Sequence, residues 1–283
     1  MAADTATPTE LPRPGKTFVD AVRQAGRETR LELDYSITET IVSTRRKPRW
    51  PVRNLFHTVD LSRSARTFWS ETRLAPEEAA RVAFADERPE QAVAFNAGPM
   101  PDLLPTTAWV QVPEALLDDP AALEHFFNYR IVIRLATAEN RALTAGPGGL
   151  FNIPEIETVR DKAGFGSALY AACDEIEQMG CTADGAVFNP HDYWLLVGTT
   201  TVIRVLEDHG LRIARTRLVP RGFAMVGDFG HGARLLDSGR STVAFEEPPP
   251  GTLVGAGLPL KAEIHERILM HLPATFYRVR LYG

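Results

Sequence analysis

Asp228-Phe229-Gly230, inside the stretch MVGDFGHGARLLDSG from Met225 to Gly239, carries the residue order that binds magnesium in a protein kinase. That chemistry needs more parts: a glycine-rich turn over the phosphates, a strand lysine, and a catalytic loop with Asp and Asn. None of these precedes Asp228, and His-Arg-Asp occurs nowhere in the chain. Gly255-Ala256-Gly257 is followed by Leu-Pro-Leu, which breaks the dinucleotide fingerprint. Asp and Gly between two short strands serve a turn instead. The kinase reading fails.

Other reactive residue types are as thinly supported. Cys173 and Cys181 are the only cysteines, and their spacing fits neither a CxxC redox pair nor a four-ligand zinc site, so they read as buried free thiols. His265 and His271 share one strand face at period two, without a third ligand in the sequence to make a metal site. Glu263, Glu266 and Arg267 on that strand read as ion-pairing residues. There is no nucleophile elbow, no HExxH and no phosphate loop. The enzyme alternative that remains rests on His191-Asp192 and on Asp228 to His231. No cofactor and no metal is implied.

The basic cluster Thr44-Arg45-Arg46-Lys47-Pro48-Arg49-Trp50-Pro51 has two readings. It is a solvated or interchain ion-pairing stretch, since charge runs usually are, or it binds a polyanion. Its one aromatic, Trp50, is no stacking platform. The net charge of −5 argues against a dedicated nucleic-acid binder. No apolar run is long enough to cross a bilayer, and the N-terminus lacks the pattern of a secretory signal. A cytosolic location is expected.

The elements that would position these residues give an α+β pattern. At 283 residues, 44% hydrophobic, the chain is long enough for one large domain or two. Residues 1–15 read as a mobile arm, followed by an amphipathic helix from Lys16 to about Arg30 with Phe18, Val22 and Ala25 on one side. From Asn54 to Arg88 the chain is polar, with too few regularly spaced apolar residues for a core, so an extended two-stranded loop is expected. Thr106–Val112 reads as a strand. A helix from Pro120 to about Ala145, about 37 Å long, repeats Leu123, Phe127, Ile131 and Leu135 every four residues and stops at Gly146-Pro147-Gly148-Gly149. A second helix is predicted from Pro154 to Met179, burying Ile156, Val159, Ala163, Ala172 and Ile176. Then come a strand at Gly185–Phe188 and short helices at His191–Val197 and Val202–Asp208. Strands follow at Leu211–Val219, Phe223–Val226, Ala233–Leu236, Thr242–Phe245, Leu260–His271 and Thr275–Leu281.

In this order the segments resemble the tailed-phage major-capsid fold of the Hong Kong phage type, shared by phage capsids and encapsulins. PVRNLFHTVDLSRSARTFWSE is similar to the entry into the family's extended E-loop hairpin. TTAWVQVPEALLDDPAALEHFFNYRIVIRLATAENRALTAGPGGLFNIPEI resembles the strand leading into the long spine helix and its glycine break. GAVFNPHDYWLLV is similar to the apical-domain segment. LVPRGFAMVGDFGHGARLLDSGRSTVAFEEP and KAEIHERILMHLPATFYRV resemble the strands that return to the peripheral domain. Gly227-Asp228-Phe229 matches a common turn of this family.

The resemblance implies an N-terminal arm over 1–50, an E-loop over 51–92, a peripheral domain with spine helix over 93–153, an apical domain over 154–225 and return strands over 226–283. It implies a non-enzymatic shell subunit whose partners are copies of itself, about sixty or a multiple by icosahedral symmetry, and an enclosed cargo protein. No membrane partner is implied, and nucleic acid enters only for a phage capsid. Arg53, Asp60, Arg63, Arg66, Glu71 and Arg73 would then be E-loop contacts between subunits. Val197-Gly198-Thr199-Thr200-Thr201 would line a fivefold pore; the same threonines also suit a simple cap on the next helix.

An encapsulin, of a less common branch, is favoured over a phage capsid, because about 50 residues precede the E-loop by this pattern and they suit a luminal arm better than a scaffold. One phage branch joins an E-loop Lys to a peripheral Asn. This chain has no Lys between Pro48 and Asn152 and no Asn after Asn189, which excludes that bond.

Overall fold

A computed structural model describes residues 13–40, 51–61, 67–71, 95–99, 101–160, 166–252 and 256–282. The arm at residues 1–12, the basic cluster up to Trp50 and Gly255 lie outside the described residues. The chain forms two compact units, each drawn from three separated stretches rather than from consecutive segments. Unit 1 holds Met1–Val42, Pro105–Ala138 and Gly239–His265; unit 2 holds Ser43–Leu104, Glu139–Ser238 and Glu266–Gly283.

In unit 1 the predicted amphipathic helix is Pro14–Ala25, and Phe18, Val19 and Val22 are buried while Ala25 is exposed. It is not a free arm. Phe18 stacks on Phe127 at 4.7 Å between ring centroids, and strand β1 (Arg30–Leu33) pairs antiparallel with residues 241–244. The predicted strand before the spine helix is the longer Leu104–Val112. Its inward residues Ala108, Val110 and Val112 alternate with outward ones, as a half-buried strand requires.

The spine starts at Pro120, where Asp119 accepts the Ala122 N–H at 3.1 Å. It is α-helical over Pro120–Phe126, a π turn over Phe127–Ile131, and α-helical again over Val132–Ala145. Apolar residues four apart drift about 40° per step around a helix of 3.6 residues per turn. The π turn winds more slowly and takes back part of that drift. Leu123, Phe127, Ile131 and Leu135 therefore all stay buried.

In unit 2 the order β6-β12-β9-β7-β8 makes a five-stranded sheet from Glu157–Arg160 (β6), Phe276–Arg280 (β12), Phe223–Gly227 (β9), Gly185–Phe188 (β7) and Arg212–Arg215 (β8). Both faces are covered. Ala186, Phe188, Ala224, Val226, Tyr277 and Val279 join one core with the helices Ser167–Gln178, Pro190–Thr199 and Val202–Asp208. Val187, Ala214, Met225 and Phe276 point the other way, into a core with Val52, Leu55, Phe56, Phe229 and Leu235.

The second predicted helix is shorter than expected. Residues from Glu157 to Arg160 form β6, parallel to β12, and the helix begins only at Ser167. β-branched Thr158 and Val159 favour the strand, and Gly166 at φ 96° cannot sit inside a helix. Ile156, Ala172 and Ile176 are buried, Val159 is partly buried, and Ala163 lies outside the described residues. The two strands expected at Ala233–Leu236 and Thr242–Phe245 are one, β10 (Ala233–Phe245), which runs on through Gly239 at φ 65°. Each half takes its own partner: residues 234–237 pair parallel with β2 (His57–Asp60), and residues 241–244 pair with β1. The last long strand, β11 (Leu258–Met270), lies next to β10.

Candidate assembly surfaces

Val52–Leu55 form a 3-10 turn that leads into β2. Val52, Leu55 and Phe56 are buried, so the polar excursion begins later than its sequence implies. Two arginines pin this turn. Arg212 donates to the Asn54 carbonyl at 3.0 Å and the Leu55 carbonyl at 2.9 Å, and pairs with Asp184 at 2.5 Å. Arg53 turns inward. Its Nε meets Glu139 at 2.7 Å, its Nη2 pairs with Asp237, and Glu266 stands at 3.8 Å. Its side chain is 3% exposed, where an intersubunit contact had been expected.

The physical reason is a row of core positions occupied by acids. Glu139 continues the buried i, i+4 stripe of the spine beyond Leu135 towards Leu143. Asp237 follows Ala233 and Leu235, and Glu266 lies between Ile264 and Ile268 at strand period two. Three carboxyls at positions the apolar pattern reserves for the core need a buried cation, and Arg53 supplies it. Burial alone would lower the Arg53 guanidinium, but Glu139, Asp237 and Glu266 outweigh it and raise it.

Beyond β2, strand β3 (Thr67–Glu71) pairs antiparallel with β4 (Phe95–Pro99), from Thr67↔Pro99 to Glu71↔Phe95. The two make a sheet with no further strand among the described residues. Of the other expected contacts, Asp60 is half-buried at the end of β2, opposite Asp237. Glu71 lies on β3, and Arg63, Arg66 and Arg73 lie outside the described residues.

Most of the expected Val197–Thr201 loop is helical. The helix runs from Pro190 to Thr199 and the next starts at Val202, which leaves Thr200 and Thr201 as the connection. Thr199 Oγ1 donates to the Leu195 carbonyl at 2.6 Å, Thr200 Oγ1 donates to that of Leu196 at 2.9 Å, and the Val202 N–H reaches Thr200 Oγ1 at 3.4 Å. The same helix presents an apolar outer face. Trp194 is 60% exposed, with Leu195 and Val197 beside it, and Arg215 covers the Trp194 ring at 5.5 Å.

Of the residues left for an enzyme, His191 and His231 are exposed, while both aspartates are committed to the fold. Asp192 is fully buried and accepts the Gly222 N–H at 2.8 Å and the Tyr282 hydroxyl at 2.6 Å. Asp228 is 2% exposed and accepts the N–H groups of Thr182 at 3.2 Å and His231 at 2.8 Å. Phe229 fills the core edge-on to Phe56 and Phe276. Gly227 is needed because a Cβ there would stand 2.2 Å from the Phe276 ring. The tripeptide builds a turn and a core, not a magnesium site. Among the described residues no group of three His, Cys, Asp or Glu could hold a metal ion, and no helix is long and apolar enough to cross a membrane.

No family model matches the sequence, and no curated protein matches it. Solved structures do match. The chain superposes on a structure of Mycobacterium phage Bobi with TM-score 0.55 and 13% identity, covering 86% of this chain and 94% of that one. For the virus-like particle from Pyrococcus furiosus the TM-score is 0.53 and the identity 13%, over 82% of this chain and 92% of that one. For the SrpI encapsulin from Synechococcus elongatus they are 0.51 and 12%, over 87% and 94%. At such identities the likeness establishes the fold alone. The chain has the capsid fold of the Hong Kong phage type.

Proposed function

We infer that this chain is a structural shell protein, not an enzyme, and that copies of it close into an icosahedral compartment around a cargo protein. The observation that carries this is the β3–β4 sheet. Two paired strands alone are marginal in water, and within the described residues no third strand joins them. A neighbouring copy would supply the missing surface, and closed symmetry would repeat that contact around the shell. In this reading the hairpin is the E-loop, the exposed Trp194 face belongs to a contact between copies, and Val197–Thr201 with their hydroxyls border a neutral pore. Asp60, Arg63, Arg66, Glu71 and Arg73 are the proposed contacts of the hairpin and its root; Arg53 serves them by holding that root.

An encapsulin in a bacterial cytoplasm is the favoured member of the class. Residues 14–33 support it, because they pack as part of unit 1 through Phe18 and β1 and so do not read as a removable scaffold. A phage or prophage capsid is the second reading, favoured by the superposition on the phage structure. The contents of purified particles separate the two. A protein cargo by mass spectrometry, with an absorbance ratio free of nucleic acid, is expected for the compartment. Packaged DNA, or closure only with a scaffolding protein, would establish the phage reading instead.

A further inference from the structure

Arg53, Glu139, Asp237 and Glu266 come from four elements of unit 2 and are all at most 3% exposed. With every group ionised the cluster would bury three negative charges against one positive. Uncompensated buried charge is strongly disfavoured. Arg53 hydrogen-bonds Glu139 and Asp237. Neither oxygen of Glu266 has a hydrogen-bond partner, and Arg53 Nη2 stands 3.8 Å away. The acid that the guanidinium does not reach is therefore the one to hold a proton. Burial pushes the Glu266 carboxyl well above its ordinary range, Glu139 pushes it further, Arg53 opposes, and Asp237 adds to the rise. A proton on Glu266 also lets it donate to Glu139.

On β2, Asp60 is the cross-strand partner of Asp237, and His57 at the other end is exposed. On the spine, Asn140 beside Glu139 accepts the Val52 N–H at 3.1 Å and so ties the same turn to the same helix. Arg212 on β8 is engaged with Asp184 and the Asn54 and Leu55 carbonyls.

We propose that these four residues form a proton-dependent lock on the turn Val52–Leu55, closed while Glu266 carries a proton and loosened when that proton is lost. The step breaks one O–H bond, and the proton passes to water or hydroxide. The lock is a property of the single chain and goes beyond the shell reading; it holds whether or not particles form. Glu266 binds its proton more tightly folded than unfolded. The stabilisation is thus complete below the unfolded carboxyl value of about 4.3. It is lost as pH rises from there through the folded value, and each unit in that window multiplies the opening equilibrium about tenfold.

The test is hydrogen exchange of the Val52–Asp60 amides between about pH 6 and 9, above the ordinary carboxyl range, corrected for intrinsic exchange. Protection in the wild-type chain is expected to fall by up to about tenfold per unit. In Glu266→Gln, a neutral side chain that still donates, it is expected to stay flat. Equal pH dependence in both chains would overturn the lock. Infrared spectroscopy on the wild type decides the matter even if the variant fails to fold. A protonated-acid carbonyl band is expected at neutral pH and is lost in alkali; its absence at neutral pH overturns the proposal.

Discussion

Replacing Asp228 by Ala asks whether the kinase-like tripeptide is structural. The carboxylate holds two backbone N–H groups, of His231 at 2.8 Å and Thr182 at 3.2 Å, from a side chain 2% exposed. A hydrogen bond to a charged group contributes about 1.5–3 kcal/mol. The shorter bond counts nearly in full and the longer one less, and both donors are only part-buried, so water recovers some of the loss. The expected cost is about 2–4 kcal/mol, or a melting point lower by about 3–7 °C for a chain of this size. Asp228→Asn keeps one acceptor for His231 but turns an amide N–H towards Thr182, and should fall between. The assay is thermal unfolding followed by intrinsic fluorescence at matched concentration, because assembly raises apparent stability. An Asp228→Ala chain that melts with the wild type would refute the turn argument.

Further outcomes follow from other contacts. Arg53→Met leaves three buried carboxyls without their cation and should cost about 3–5 kcal/mol in denaturant titration, far more than loss of an exposed ion pair. Gly227→Val drives a side chain into the Phe276 ring and should cost about 1–3 kcal/mol, with partial recovery in Gly227→Val/Phe276→Leu. Burial, then Glu177, pushes the Cys173 thiol up to about 11. Below that value it stays protonated, so at neutral pH it should carry about a hundredfold less thiolate than an ordinary cysteine. Maleimide labelling of Cys173 should then rise sharply on unfolding, as read by mass spectrometry. Trp194→Ser removes an exposed aromatic and should lower particle yield while leaving the circular dichroism of the subunit unchanged.

The sequence made the periodic parts of this fold legible and hid the parts that depend on distant pairing. Leu123, Phe127, Ile131 and Leu135 reveal the spine because each lies one turn from the next. The alternation in Leu104–Val112 and in β11 reveals half-buried strands. By contrast, β6 looks helical in sequence because its partner β12 lies more than a hundred residues away, and β10 looks like two strands because a glycine such as Gly239 suggests a turn. Arg53 looks like an exposed contact in sequence, since nothing within its own segment shows that Glu139, Asp237 and Glu266 converge on it. The signal was there in a different form: each of those acids interrupts an apolar period at a core position. Asp228 was legible for the opposite reason, as its neighbours in sequence are also its neighbours in the turn.

The most direct test of the shell reading is electron microscopy of the protein expressed alone, with its mass in solution measured by light scattering after size exclusion. Uniform closed particles of roughly 20–30 nm, the scale of a shell of sixty or more such subunits, are expected. A monomer or small oligomer at every concentration and salt tested would contradict it.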